Sequence, residues 1–466
     1  MIVPSPVGLR EQIAAGAVGS SDVTESYLDM IRCLDSEVGA FVTVDAEGAL
    51  EQARAADTAL AGGQTLGPLH GLPIALKDNI DTAGLRTTVG SAFFAERVPE
   101  ADAEVTRRLR QAGAVVLGKV TLHEFAYGAT NDNPHFGSCR NPWDLGRVPG
   151  GSSGGSGAAV AAGLCAAALG TDTGGSVRIP AALNGVSGLR PSHGRVSIRG
   201  VFPITWTFDT VGPIAHAVSD LAALLEALAG YDSLDPHCAD APTDAYGEAL
   251  ERGVDGLRIG VPRNFFFEQV DADIVRLVRA AADVLAAAGA TLEEIELPEA
   301  GAAVDIATTI IRAEAFAIHR RRLAEAPDRF GEDVRRRLLL GEQVTGADYG
   351  EQRERARVWR RTVERAFEQV DLILSPTTGT TAPAAGSEMI ETTQRLVRLT
   401  YGWSLAGLPA LSIPCGFSDT GLPVGLQLAA GRFREATLLQ AGAAYQRETD
   451  WHLRQPVLPN PKGVTR

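Results

Sequence analysis

The sequence predicts an α/β fold. Between residues 67 and 215, short apolar segments typical of strands, LPIALK and AVVLGK, flank a helical stretch, DAEVTRRLRQAG. Alternation of this kind is typical of a sheet covered by helices. Hydrophobic residues make up 45% of the 466 residues and charged residues 21%, which is ordinary usage for a folded protein. We therefore expect a compact α/β protein with a sizeable core.

Helices are predicted to begin the chain. Apolar residues between positions 8 and 65 recur at helical spacing, and glycines interrupt the run near its end. The Ala-rich segment GAAVAAGLCAAAL at 157–169 predicts a core helix that is too short to span a membrane. Farther along the chain, the patterns predict helices at 216–230, 272–289 and across 301–370, strands at 256–262 and 370–374, and further strands and one helix in the tail.

No internal repeat, low-complexity linker or charge block divides the sequence. We therefore predict one domain spanning residues 1–466. Its expected parts are N-terminal helices (1–65), a core rich in Gly and Ser motifs (66–230), a helical excursion (about 265–370) and C-terminal sheet elements (371–466).

Charge and cysteine usage restrict the classes of function. The 43 Lys and Arg residues against 57 Asp and Glu residues give a net charge of −14, which disfavours nucleic acids as partners. The arginine runs 320–322 and 335–337 are interpreted as solvated helix faces, because acidic residues surround them. Five scattered cysteines without a C-x-x-C pair indicate a reducing compartment. Since no leader-like or membrane-length apolar segment is present, we expect a cytoplasmic protein.

The segment PGGSSGGSG at 149–157 is the first candidate for chemistry, and three interpretations compete for it. The three interpretations are a flexible surface loop, a phosphate-binding loop, and a rigid turn that brings serine hydroxyls close to a substrate. The phosphate interpretation is disfavoured, because the G-x-x-x-x-G-K-[ST] pattern is absent.

A second turn, GTDTGGSVRIP at 170–180, places Gly174 and Gly175 directly before Ser176. Consecutive N–H groups on such a turn can converge on one point and hold an oxyanion, with a nucleophile beside it. A purely structural turn is the alternative. Lys77 ends the apolar strand LPIAL, so it is either a lysine that extends to solvent or a buried, neutral base able to take a proton from a serine.

Two other kinds of catalytic site are disfavoured. No G-x-S-x-G elbow surrounds a serine, so a Ser-His-Asp triad lacks its usual motif and the histidines are interpreted as structural residues (His70, His123, His135, His193 and His216). No H-E-x-x-H or related cluster occurs either. We expect neither a metal nor a cofactor.

Taken together, these segments resemble the amidase signature family. The resemblance rests on GLPIALKDNID, HFGSCRNPWD, GGSSGGSGAAVAAG, LGTDTGGSVRIPAALNGVSGLRPSHGRVS and FDTVGPIAHAVSD, and on LAGLPALSIPCGF and GLPVGLQL in the tail. It covers most of the chain and is weakest over about 230–370. It implies a single α/β domain with a large, mixed, twisted sheet flanked by helices on both faces.

The resemblance also implies a catalytic triad. Lys77 is the implied base, Ser152 follows a cis peptide bond and relays a proton, and Ser176 is the nucleophile. The implied oxyanion hole consists of the backbone N–H groups of Thr173, Gly174, Gly175 and Ser176.

Other residues are expected to assist. Ser153, Asp172 and Arg178 are interpreted as supports that brace the nucleophile turn through hydrogen bonds. Tyr127 and Trp206 are candidates for contacting the substrate, and simple core packing is the alternative for both.

Three functions are compatible with the resemblance. The first is a stand-alone amidohydrolase that cleaves a small amide, anilide or carbamate through an acyl-enzyme. The second is the glutaminase component of a tRNA-dependent amidotransferase, and the third is a catalytically silent binding protein. Ile179, where that component usually has Gln, favours the first. The expected partners are a small-molecule amide and a second copy of the chain, without nucleic acid or membrane.

Overall fold

A computed structural model describes residues 8–64 and 67–458. The strands of this part of the chain join into one eleven-stranded sheet. They are β1 (Phe41–Val44), β2 (Pro73–Lys77), β3 (Val115–Val120), β4 (Ala167–Thr171), β5 (Ser187–Arg190), β6 (Val211–Ala215), β7 (Arg258–Pro262), β8 (Thr291–Ile295), β9 (Leu372–Pro376), β10 (Ala410–Phe417) and β11 (Pro423–Ala430).

The sheet is mixed, with the strand order β1-β3-β2-β4-β6-β5-β10-β11-β9-β7-β8. Strands β3, β2 and β4 run parallel, as do β9, β7 and β8, and the strands between these groups pair antiparallel. Every residue of β2 and β4 is buried. Continuous burial along a strand is typical of a parallel sheet with helices on both faces.

The helices cover this sheet. They are α1 (Leu9–Ala14), α2 (Ser20–Val38), α3 (Ala46–Ala61), α4 (Glu104–Gln111), α5 (Gly154–Ala161), α6 (Arg178–Asn184), α7 (Val218–Leu228), α8 (Tyr246–Ala249), α9 (Ala272–Ala287), α10 (Ala302–Glu325), α11 (Glu332–Glu342), α12 (Gly346–Gln369), α13 (Met389–Val397), α14 (Tyr401–Ala406) and α15 (Glu435–Glu448).

Strand β9 demonstrates that both faces of the sheet are covered. Leu372 and Leu374 pack into the larger hydrophobic core, whereas Ile373 between them packs into a second core. Because successive side chains of a strand point to opposite faces, the two cores lie on opposite sides of the sheet. The predicted α/β class, with a large mixed sheet and helices on both faces, is confirmed.

The second core joins the sheet to the long helices α10, α11 and α12. Trp359 of α12 donates its indole N–H to the carbonyl of Gly402 at 2.7 Å. Trp403 is fully buried and stacks on Phe266, with 5.1 Å between the ring centroids. Apolar contacts and this hydrogen bond therefore hold the helices α10, α11 and α12 against the sheet.

Three segments differ from the sequence-based prediction. The Ala-rich segment 157–169 is no continuous helix, because α5 ends near Gly163, which has a φ of +70°, and the chain then enters β4. There, pairing with β2 and β6 outweighs the helical preference of alanine. Likewise, β1 interrupts the N-terminal helices after Gly39, whose φ is +65°, and β8 lies inside the predicted helical excursion.

Among the described residues, no helix combines the length and the apolar character needed to cross a membrane. The prediction that no leader segment is present rests partly on the first seven residues. These residues lie outside the described part of the chain.

Candidate active site

The segments that contain Lys77, Ser152 and Ser176 meet at the carboxyl ends of β2 and β4. Lys77 is the last residue of β2 and Thr171 the last residue of β4, and these two strands are parallel neighbours. Because parallel strands end at the same edge, their last side chains lie close together. Ser152 lies in the loop before α5, and Ser176 lies in the turn between β4 and α6.

Lys77 is completely buried and donates hydrogen bonds to two hydroxyls. Its Nζ lies 2.7 Å from Ser152 Oγ and 2.7 Å from Thr171 Oγ1. Burial lowers the pKa of Lys77 to about 7, against the opposing attraction of Asp209 and Asp172. A large fraction of the amine is therefore neutral near pH 7 and able to accept a proton.

The Gly and Ser loop is rigidly held. The peptide bond between Gly151 and Ser152 is cis. Ser153 Oγ donates to the carbonyl of Thr171 at 3.1 Å and accepts from the N–H of Thr171 at 3.2 Å, while its own N–H donates to the carbonyl of Ser176 at 3.2 Å. Ser153 thus ties the loop of Ser152 both to β4 and to the turn of Ser176.

The turn that contains Ser176 requires its two glycines. Gly175 has a φ of +129°, and a Cβ there would overlap Thr400. A Cβ on Gly174 would overlap the ring of Tyr401. Only glycine lets the backbone pass this close to α14 and the residue before it.

Of the four N–H groups expected to hold an oxyanion, one is already used. The N–H of Gly175 donates to Asp172 Oδ1 at 2.8 Å. Those of Thr173, Gly174 and Ser176 donate to no described residue. The Ser176 hydroxyl likewise has no hydrogen-bond partner in the described chain, and it lines a pocket. This pocket offers a reacting carbonyl both a hydroxyl and free N–H donors.

A buried ion cluster braces the turn. Asp172 lies between Arg178 and Arg190, with Oδ1 2.9 Å from Arg178 Nη2 and 3.0 Å from Arg190 Nη1, and all three side chains are fully buried. Burial by itself would raise the pKa of Asp172, but the two guanidinium groups hold it well below its usual range. Asp172 is therefore ionised at all ordinary pH values.

Sequence reasoning missed Arg190, Thr171 and Asp209. Asp209 accepts the hydroxyl of Thr173 at 2.6 Å and the N–H of Ile204 at 2.8 Å, so it anchors the turn to the loop at 204–209. An arginine at the end of the buried strand SGLR was the available signal for Arg190, since buried charges need partners.

The pocket above Ser176 is lined mainly by apolar and hydroxyl-bearing side chains. The wall includes Tyr127, Ile204, Thr393 and Tyr401, together with the guanidinium of Arg337. An adjoining cavity shares Tyr127, Arg337 and Tyr401 with it and also contains Arg312. The prediction that 335–337 forms a solvated helix face is wrong for Arg337, which is buried against Asp333.

Trp206 does not line this pocket. It is 43% exposed and borders a separate cavity. Two of the histidines have structural partners: His123 bonds to Asp333 at 2.9 Å, and His216 lies between the carbonyls of Val160 and His452.

Comparison with known proteins identifies similar sequences and folds. Residues 22–439 match the family model for amidase. The A component of the glutamyl-tRNA(Gln) amidotransferase of Roseiflexus sp. (strain RS-1) is 44% identical, over 97% of this chain and 97% of that protein. Among solved structures, the native peptide amidase from Stenotrophomonas maltophilia is 32% identical, with a TM-score of 0.84 and 99% of both chains covered.

A third relative is a structure described as an unexpected vestigial protein complex that reveals the evolutionary origins of an s-triazine catabolic enzyme. It is 37% identical, with a TM-score of 0.91, and the match covers 95% of this chain and 98% of that one.

These relatives contradict the expected partners. That prediction allowed a small-molecule amide and a second copy of the same chain, without nucleic acid. The Roseiflexus protein is instead named as one subunit of a glutamyl-tRNA(Gln) amidotransferase, and the s-triazine relative is described as part of a protein complex. The expectation that the partners are only a small-molecule amide and a second copy of the chain is therefore wrong.

The ion cluster leads to a stability prediction. Asp172→Asn leaves Arg178 and Arg190 buried without a compensating charge, so it should lower the free energy of unfolding by about 3–5 kcal/mol. Urea unfolding followed by circular dichroism measures the change. Glu354→Gln is the matched control: its partner Arg357 is 72% exposed and Glu354 is 65% exposed, so the change should stay within about 0.5 kcal/mol. Equal effects of the two substitutions would contradict the bracing role.

Proposed function

Because the chain belongs to the amidase family, whose members hydrolyse amide C–N bonds, we propose that it is the amide-hydrolysing component of a multi-chain enzyme. Ser176 is the nucleophile, Ser152 the proton relay and Lys77 the base. The observation that carries the proposal is a fully buried lysine hydrogen-bonded to Ser152, in a loop that Ser153 ties to Ser176, whose hydroxyl lines the pocket.

The reaction begins with attack of Ser176 Oγ on the amide carbon. The Ser176 proton passes to Ser152 Oγ, and the Ser152 proton passes to the neutral Nζ of Lys77. The negative charge on the former carbonyl oxygen is met by free N–H groups of the turn, such as those of Gly174 and Ser176. The C–N bond then breaks, and the leaving nitrogen receives the proton back along the relay. Water hydrolyses the resulting ester with the same relay.

In the described state, Ser176 donates no hydrogen bond to Ser152. Catalytic hydrogen bonds of this kind often tighten only when a substrate fills the pocket. The relay is therefore proposed for the substrate complex. The 2.7 Å contact between Lys77 Nζ and Ser152 Oγ is already formed, and in the relay the Ser152 hydroxyl is its donor and the neutral amine its acceptor.

The pocket supports an amide that also carries a carboxylate. Arg337 pairs with Asp333 and also bonds Thr393 and the carbonyl of Met389, so its charge is compensated and only its Nη1 lacks a partner among the described residues. Arg312 lines the adjoining cavity and forms no ion pair with a described residue, so it supplies the positive charge that a substrate carboxylate requires. No Asp or Glu side chain lines either cavity in the described structure. A free ammonium group on the substrate would therefore lack a counter-ion.

The partner proposal follows the relatives. Amidotransferase components of the Roseiflexus type match this chain along nearly its full length, which favours an amidotransferase-type assembly over a stand-alone enzyme. Ile179, the residue that favoured the stand-alone alternative, is fully buried in a small core with Leu183 and Leu396 behind the pocket. Since it does not line the pocket, its apolar character says little about substrate or partner.

Ammonia release from three matched amides tests the proposed substrate class. They are glutamine, glutaramic acid, which is glutamine without its amino group, and pentanamide, which lacks the carboxylate as well. Because a charge-assisted hydrogen bond contributes roughly 1.5–3 kcal/mol, kcat/KM for glutaramic acid should exceed that for pentanamide by about tenfold or more, and Arg312→Gln should reduce the difference. Ser176→Ala should abolish all three rates.

The same assay tests the partner. The complex isolated from its own cells should contain a non-identical chain by native mass spectrometry and should be more active than the purified chain. Full activity in an assembly of identical chains would contradict the partner proposal, and equal kcat/KM for glutaramic acid and pentanamide would contradict the carboxylate proposal.

The pH profile tests Lys77 as the base. Because burial lowers the pKa of Lys77 to about 7, kcat/KM should rise as the pH passes through this value and the amine loses its proton. Lys77→Met should lose about 10²–10⁴-fold in kcat, and its residual activity should lack this step. The Lys77 contribution to the free energy of unfolding should also rise between pH 7 and about 10.4, since the unfolded lysine holds its proton longer. The difference in this free energy between the wild type and Lys77→Met should therefore grow over that range, while the rise that Lys119 supplies remains in both proteins.

Lys119 provides the matched control. It is also fully buried, and burial lowers its pKa to about 8, but its Nζ donates to Thr82 and the carbonyl of Ile80, away from the serines. Lys119→Met should alter stability and keep the step in kcat/KM near pH 7. Loss of that step in Lys119→Met, or its persistence in Lys77→Met, would exclude Lys77 as the base.

A further inference from the structure

A second cavity of about 380 Å³ lies on the protein and shares no lining residue with the pocket of Ser176. Its wall includes Trp206, Arg360 and Arg432, together with His193 and Glu314. The volume is within the range of small-molecule sites. The proposed amide hydrolysis makes no use of this cavity.

The cavity carries an excess of positive charge on a protein whose net charge is −14. Its carboxylate, Glu314, is already occupied: it accepts the N–H of Trp206 at 2.9 Å and the hydroxyl of Tyr349 at 2.8 Å, and it lies 3.6 Å from Arg353. Glu314 and Arg353 therefore compensate each other.

Arg360 and Arg432 have no such direct partner. Glu435 and Glu364 attract Arg432 from nearby, but each of these carboxylates is paired with another arginine. Neither forms an ion pair with a described residue, and nearby Glu364 pairs with Arg361 at 3.0 Å. The charge of Arg360 also helps to lower the pKa of Arg432, after burial as the larger cause, so the two guanidinium groups repel each other. Two arginines that line one cavity without an ion pair to a described residue form an anion site, and guanidinium groups match phosphate geometry well.

Two other groups define the rest of the ligand. Trp206 is 43% exposed and presents a large flat ring to the cavity. Burial lowers the pKa of His193 to about 4, so its imidazole is neutral, and a hydrogen bond to the backbone of Trp206 occupies one nitrogen. Its Nε2 is buried and has no hydrogen-bond partner in the described chain. A neutral imidazole nitrogen in this state accepts a hydrogen bond, for example from a hydroxyl.

We propose that this cavity binds a nucleoside phosphate, with the phosphate on Arg360 and Arg432, the base stacked on Trp206 and a sugar hydroxyl donating to His193. Together these side chains suit a ligand that carries a flat ring, a hydroxyl and a phosphate. The nucleotide is either a free small molecule or the terminal residue of an RNA, since both present the same groups.

Binding of adenosine monophosphate to the full chain tests the proposal. Isothermal titration should give saturable binding with a Kd of about 1 mM or tighter. Ribose 5-phosphate, which lacks the base, and adenosine, which lacks the phosphate, should each bind at least about tenfold more weakly. Arg360→Gln and Arg432→Gln should each raise the Kd by about tenfold.

Arg361→Gln is the matched control, because Arg361 is the next residue on α12, is 73% exposed and pairs with Glu364 instead. It should leave the Kd within about twofold. Ammonia release by the two cavity variants should stay at the wild-type rate, which shows that they are folded and separates this site from the catalytic one.

Competition distinguishes the two sources of ligand. Displacement of adenosine monophosphate by a short single-stranded RNA would identify the end of an RNA as the ligand, and failure to displace it would identify a free nucleotide. Absence of saturable binding, or a Kd that is unchanged in the Arg360→Gln, Arg432→Gln double variant, would overturn the proposal.

Discussion

The site depends on the burial of one lysine without a carboxylate partner. Lys77 ends a strand that is buried throughout, and its hydrogen bonds go to two neutral hydroxyls rather than to an acid. Had a carboxylate paired with it directly, the ammonium form would be favoured and the amine would be a poor base at neutral pH. Asp172 and Asp209 are close enough to oppose the shift, yet each is committed to other partners.

The arrangement around the lysine follows from that constraint. Asp172 is held between Arg178 and Arg190, so its charge is compensated inside the turn rather than by Lys77. The two glycines let the turn pass against Thr400 and Tyr401, which brings Ser176 to the pocket. Charge also distinguishes the cavity at Arg360 and Arg432, because neither arginine forms an ion pair with a described residue.

Much of this was predictable from sequence. The α/β class and the family resemblance follow from the strand and helix alternation and from the long Gly and Ser motifs, and both are confirmed. The segment 157–169 was not predictable as a helix plus a strand, because alanine prefers helix and only pairing with β2 and β6 overrides it. The burial of Arg337, the position of Trp206 and the role of Arg190 depend on contacts between distant segments, which no local pattern contains. Partner chains leave no periodic signal, and the relatives supplied that correction.

The central claim is that Ser176 is the nucleophile and that Lys77 activates it through Ser152. The most direct measurement is labelling with phenylmethanesulfonyl fluoride, a reagent that traps activated serines, followed by tandem mass spectrometry of the peptide that contains both serines. We predict a single adduct on Ser176, absent in Ser176→Ala and formed far more slowly in Lys77→Met. An adduct on Ser152 instead, or an unlabelled Ser176 in protein that still hydrolyses amides, would contradict this account.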